Sequence, residues 1–143
     1  MADAIKAIKK RPGAMTFGDA TSYRLPPAGV VSILHRISGL LLLVLMPFVI
    51  WLFDKSVSSE VSYDVFRAAF AAGIGFVPAF IVKLATLVLI WAFLQHFCAG
   101  VRHLYLDVTH KVTKDFGRQS AQAVLVVSLV LTVLFGAKLF GLY

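Results

Sequence analysis

Two apolar segments of this 143-residue chain each carry a group of polar and ionisable side chains. In the first segment Ser32, His35 and Arg36 are spaced i, i+3 and i+4, so in a helix they would lie on one face. A hydroxyl, an imidazole and a guanidinium on one face could bind an oxygen-rich ligand, such as a quinone carbonyl or a carboxylate. The alternative is that Arg36 extends to lipid head groups while His35 hydrogen-bonds to a neighbouring helix.

In the second segment His96 and His103 are seven residues apart, about two helical turns, with Gly100 between them on the same face. A histidine deep in a membrane helix is a candidate ligand for haem iron or a candidate proton relay. Gly100 would leave room for a flat macrocycle. Arg36 and Arg102 would supply cations for haem propionates, as would His35 or His103 if protonated. The alternative is a neutral histidine that hydrogen-bonds to another helix.

The composition places these groups in a membrane protein. Hydrophobic residues make up 59% of the chain and charged residues only 15%, against about 25% charged in soluble domains. Three runs approach the roughly 20 apolar residues that a spanning helix needs. We therefore predict an all-α membrane protein in which residues 1–28 form an N-terminal arm and residues 29–143 a membrane anchor. Its three transmembrane helices would cover about 29–53, 78–107 and 120–141.

The distribution of charge predicts the orientation. The net charge is +7, and basic residues concentrate in the N-terminal arm and after the second apolar run. By the positive-inside rule the N-terminus and the second loop would be cytoplasmic. The lack of an evident Arg/Ser-rich transit peptide favours a bacterial inner membrane. The two polar groups would then lie on the same side of the membrane. No nucleic-acid motif is visible, so lipid rather than nucleic acid is expected around the chain.

Two multi-residue patterns carry a family resemblance. The first, S-x-x-H-R-x-[ST]-G, stands complete as Ser32, His35, Arg36, Ser38 and Gly39. The second, H-x-x-x-G-x-R-H followed by an acidic residue, is matched by His96, Gly100, Arg102, His103 and Asp107. Over about residues 22–108 the chain resembles the cytochrome b membrane-anchor subunit of succinate dehydrogenase, respiratory complex II.

The resemblance implies a function within a larger assembly. A flavoprotein subunit and an iron-sulfur subunit would oxidise succinate in the tricarboxylic acid cycle and pass electrons to a quinone. Haem b would be shared with a second membrane-anchor subunit that supplies the other axial histidine. By position His96 would be this chain's ligand to the haem iron. Ser32 and Arg36 would bind the quinone, and His35, Arg36 and His103 would lie near the haem propionates.

Other functions keep the same three helices. A quinol:fumarate reductase anchor would run the chemistry in reverse, and an anchor without haem could still bind quinone. A non-redox scaffold or transporter subunit would have no need of His96. Cys98 is the only cysteine, which excludes an intrachain disulfide.

Overall fold

Four helices and one short hairpin make up the part of the chain that the structure, a computed structural model, describes: residues 25–111 and 113–143. In chain order the elements are α1 (Pro27–Val57), α2 (Glu60–Ala71), β1 (Gly73–Ile74), β2 (Val77–Pro78), α3 (Ala79–Thr109) and α4 (Lys114–Leu139). Most of the predicted N-terminal arm, residues 1–24, lies outside the described residues.

The three long helices have outer surfaces that suit lipid. Leu43 on α1, Phe97 on α3 and Val133 on α4 are each more than half exposed, at 68%, 58% and 61%. All three helices are long and apolar enough to cross a membrane. At about 1.5 Å per residue, the 31 residues of α1 extend about 46 Å, more than the roughly 30 Å hydrocarbon core. The prediction of an all-α membrane protein with three transmembrane helices is confirmed.

Local signals set the helix ends beyond the apolar runs. Pro27 occupies the first turn of α1, where a missing N–H costs nothing, and the helix continues through the polar Asp54 and Lys55. α4 begins at Lys114, six residues before the predicted start at residue 120, because the Thr113 side chain caps its first turn by accepting from the Phe116 amide. The helices thus extend into polar sequence at these ends.

The connection from α1 to α3 is itself structured. Ser59 and Ser62 form a reciprocal capping box that starts α2, and the stacked rings of Tyr63 and Phe66 lie on this short helix. The antiparallel hairpin of β1 and β2 follows, with Gly73 at φ +103°, a conformation that favours glycine. This connection returns the chain so that α3 runs antiparallel to α1.

α4 packs closely along α3. Its buried residues recur every three or four positions and are mostly small: Ala121, Val124, Ser128, Thr132 and Gly136. A Cβ at Gly136 would lie 2.8 Å from Leu87 Cδ1, so the glycine permits this close approach. Small residues of this kind let membrane helices approach each other. α3 contacts both α1 and α4, and α1 also contacts α4 directly.

Candidate functional site

Three histidines from α1 and α3 meet where these helices pack. The ring of His35 stacks on that of His96, with centroids 4.1 Å apart and planes 15° from parallel. The ring of His103 is tilted 48° against that of His35, with centroids 5.2 Å apart. All three side chains are partly buried. The two polar groups that the sequence places on separate segments therefore form one cluster.

The backbone of α1 selects the tautomer of the neutral His96 ring. Its Nδ1 lies 3.0 Å from the carbonyl oxygen of His35. A carbonyl only accepts hydrogen bonds, so Nδ1 carries the proton and donates it. In the neutral ring Nε2 is then the unprotonated nitrogen, and its lone pair is available to a metal. Ser38 is fully buried beside this contact; its Oγ donates to the same carbonyl at 2.9 Å and lies 3.4 Å from Nδ1.

Two glycines make room for the rings. A Cβ at Gly39 would lie only 2.9 Å from Cε1 of His96, closer than real Cβ contacts allow. A Cβ at Gly100 would lie 3.7 Å from Nε2 of His35, an ordinary contact. Gly39 is therefore required where the His96 ring lies on α1. A Cβ at position 100 would fit without displacing His35.

Ser32 and Arg36 lie one turn apart on α1, on the same face of the helix as His35. Ser32 is half-buried and Arg36 is exposed. Within residues 25–111 and 113–143 no carboxylate lies within 4 Å of the Arg36 guanidinium; the ion pair found there joins Lys55 to Asp54. In the described structure the guanidinium thus keeps its donors for a ligand or for lipid head groups.

Arg102 has a partner within the chain. Its Nε donates to Ser120 Oγ at 3.0 Å, and its Nη2 donates to the Gly117 carbonyl at 3.2 Å. Both acceptors belong to the first turns of α4. Arg102 therefore joins α3 to α4, a contact that its position in the second pattern did not suggest.

Sequence reasoning missed Gln95, which is 1% exposed and faces α4. Ser128 Oγ donates to its Oε1 at 2.7 Å, and Thr132 Oγ1 donates to the Ser128 carbonyl. An amide inside a long apolar run was the signal that could have identified it, because such a group needs a partner in hydrocarbon. Gln95 is part of the helix packing rather than of the histidine cluster.

The histidine cluster does not by itself form a metal site with three or more protein ligands. In the described part of the chain, no three His, Cys, Asp or Glu side chains converge so as to hold an ion. The His96 arrangement offers one nitrogen ligand from this chain.

The whole-chain comparison agrees with the two local patterns. The model of the succinate dehydrogenase/fumarate reductase transmembrane subunit family matches residues 9–135. The chain belongs to this family. The resemblance inferred from the two patterns, to the cytochrome b membrane-anchor subunit of succinate dehydrogenase, is thereby confirmed.

Several bacterial members of the family are similar to the chain over most of its length. It is 35% identical to the succinate dehydrogenase cytochrome b556 subunit of Coxiella burnetii over 119 residues, which cover 82% of this chain and 90% of that one. Identity to the protein of the same name from Paracoccus denitrificans is 31% over 112 residues, covering 78% and 81%. Identity to that from Rickettsia felis is 28% over 125 residues, covering 87% and 90%.

Proposed function

We propose that this succinate dehydrogenase membrane subunit binds haem b through His96 and forms part of a quinone-reducing site with Ser32 and Arg36. The observation that carries the proposal is the hydrogen bond from Nδ1 of His96 to the His35 carbonyl, because it leaves Nε2 free to ligate. The names of the relatives, cytochrome b556 subunits, support haem as the group that is bound.

The donor set fits a haem shared between two chains. A b-type haem held by two histidines would need a second imidazole besides that of His96. This chain offers one such nitrogen at His96, so the second would come from another membrane-anchor subunit. When bound, haem b supplies a one-electron redox centre inside the membrane.

The hydrogen-bond donors near His96 suit the propionates of such a haem. His35 is in ring contact with His96, and His103 is in turn near His35. Arg36 follows His35 directly and is exposed on α1. We assign these three side chains to the propionates, since imidazole N–H groups can donate to a carboxylate and the bonds from the Arg36 guanidinium are strong.

Ser32 and Arg36 are assigned to the quinone. Reduction of a quinone to a quinol adds two electrons and two protons, and negative charge develops on its carbonyl oxygens. The Arg36 guanidinium would stabilise that charge, and the Ser32 hydroxyl would donate a hydrogen bond to the carbonyl. Ser32 can also pass on protons from water, because a hydroxyl both donates and accepts.

The remaining chemistry belongs to partner subunits. A flavoprotein would oxidise succinate, and an iron-sulfur subunit would carry the electrons to the quinone. The basic residues around α1 and between α3 and α4 support an orientation with the N-terminus and the α3–α4 turn in the cytoplasm of a bacterium. The histidine cluster would then lie toward the side on which the soluble subunits bind.

The experiment is a dithionite-reduced minus oxidised difference spectrum of the detergent-purified complex, with wild type compared with His96→Ala. We expect a low-spin b-type band in wild type and its loss in the variant. Succinate:quinone reductase activity is measured on the same samples. The matched control is His110→Asn, which changes an exposed histidine at φ +53°, a conformation that Asn tolerates.

The outcomes separate the alternatives. A band that persists in His96→Ala would refute the ligand assignment. Quinone reduction without any band in wild type would indicate an anchor that lacks haem. If an assembled wild-type complex showed neither the haem band nor quinone reduction, the chain would be a non-redox scaffold.

A further inference from the structure

The ring of His96 lies so close to the backbone of α1 that position 39 has no room for a Cβ. The virtual Cβ of Gly39 lies 2.9 Å from Cε1 and 3.2 Å from Nδ1 of His96, but 4.0 Å from Nε2. The Nδ1–Cε1 edge of the ring therefore faces α1. Nε2 lies on the side of the ring farther from that helix.

This orientation depends on the absence of one methyl group. Side chains essentially never place an atom within 3.0 Å of a Cβ, and the ring of His96 is tied to the backbone of α3 by its own Cβ. An alanine at position 39 would therefore rotate or displace the ring. Either movement would lengthen the 3.0 Å contact from Nδ1 to the His35 carbonyl.

The same carbonyl has a second donor. Ser38, which is fully buried, donates its Oγ–H to the His35 oxygen at 2.9 Å. Two donors thus share the oxygen that orients His96. A partner that accepts from the outer nitrogen of a ligating histidine fixes the tautomer and raises the basicity of the other nitrogen.

From this geometry we propose that Gly39 and Ser38 are positioning residues, which act on the redox group through His96 and not by touching it. Gly39 sets the plane of the imidazole, and Ser38 sets how strongly the His35 carbonyl accepts from Nδ1. The proposal rests on the proposed function, because it takes His96 as the axial ligand. It adds that α1 tunes a ligand that α3 carries.

The main test compares Gly39→Ala with Gly29→Ala in the intact complex. Gly29 lies on the same helix, and a Cβ there would meet its nearest neighbour at 3.6 Å, an ordinary contact. We measure haem bound per complex, the reduced-minus-oxidised band, and the haem midpoint potential by redox titration. Loss of an outer partner of a metal ligand typically lowers affinity about 10–100-fold. In Gly39→Ala we expect the affinity for haem to fall about tenfold or more and the band to be altered. Gly29→Ala should behave like wild type.

A second variant tests the proposal even if the Gly39→Ala complex does not assemble. Ser38→Ala adds no atom and removes one of the two donors to the His35 carbonyl. The oxygen should then accept more strongly from Nδ1, make His96 a more basic ligand and lower the midpoint potential. Ser38→Thr keeps the hydroxyl and should restore the wild-type potential.

The outcomes are distinct from those of the first proposal. If His96→Ala abolishes the band while Gly39→Ala and Ser38→Ala both keep the wild-type band and potential, the positioning proposal is wrong and the ligand assignment stands. If Gly39→Ala does not assemble, the potential of Ser38→Ala decides: a lowered potential that Ser38→Thr restores supports the proposal, and an unchanged one overturns it. If His96→Ala keeps the band, the ligand assignment fails and the positioning proposal fails with it.

Discussion

Ser128 Oγ donates a 2.7 Å hydrogen bond to Gln95 Oε1, which joins α4 to α3 one residue before His96. Successive residues of a helix point about 100° apart. Gln95 therefore contacts α4 while His96 contacts α1. The two neighbours hold α3 from two sides, so the position of the candidate ligand depends on the packing of all three long helices.

The first prediction concerns this buried pair. Ser128→Ala should destabilise the complex by about 1 kcal/mol, since hydrogen bonds between membrane helices contribute about 0.6 kcal/mol on average and up to about 1.7. The amide of Gln95 would be left without its partner, and its Nε2 already has none among the described residues. About 1 kcal/mol corresponds to roughly a fivefold change in the folded-to-unfolded ratio, measurable by unfolding the purified complex in SDS.

Removal of both polar groups provides the control. In Ser128→Ala combined with Gln95→Leu, no buried amide is left unsatisfied, so the double variant should lose less stability than the sum of the two single variants. Val130→Ala changes an exposed position of the same helix and should have little effect. Strictly additive losses would mean that the hydrogen bond contributes nothing.

The second prediction tests whether Arg102 joins α3 to α4 or contacts a haem propionate. Since its guanidinium donates to Ser120 and to the Gly117 carbonyl, Arg102→Ala should lower stability by about 1 kcal/mol without moving the haem band or midpoint potential. Stability and the redox titration are measured on the same preparation. Arg118→Ala, an exposed arginine on α4, is the control. A shifted potential with unchanged stability would instead place Arg102 beside a haem propionate.

The third prediction concerns quinone reduction. Arg36→Ala should lower succinate:quinone reductase activity about 100-fold, because loss of a donor to a developing negative charge typically costs about 10²–10³ in rate. Succinate oxidation with an artificial dye as acceptor should be unchanged, since the dye would accept electrons before they reach the proposed quinone site. Arg36→Lys keeps the charge but not the planar fork and should recover only part of the activity.

Arg67→Ala provides the matched control for Arg36, as Arg67 is an exposed arginine on α2. It should retain both activities. If Arg36→Ala retained full quinone reduction, the guanidinium would have no part in the site. A head-group contact would then account for it.

The fourth prediction concerns orientation. With Cys98→Ala as background, a single cysteine is placed at the exposed Ser58 or at the exposed Lys111. Ser58→Cys should react with an impermeant maleimide in spheroplasts, and Lys111→Cys only in inverted vesicles. The reverse pattern would overturn the cytoplasmic assignment of the N-terminus.

The amino-acid sequence by itself determined the class of protein and the type of each chemically active residue. Continuous apolar runs leave a helix as the simplest way to satisfy the backbone within lipid, so three spans follow from composition and length alone. The spacing of Ser32, His35 and Arg36 places them on one side of α1 in any helical arrangement. The helix ends were less predictable, since capping by Thr113 extends α4 into polar sequence.

Only the tertiary structure decided which groups meet and how they are oriented. The contact of His96 with the His35 carbonyl joins residues 61 positions apart, so it depends on how α3 packs against α1. The same packing makes Gly39 necessary and gives Arg102 its partners on α4. Helical periodicity defines faces of a single helix. Contacts between helices depend on side-chain shape along both, because close packing and paired polar groups decide which faces come together.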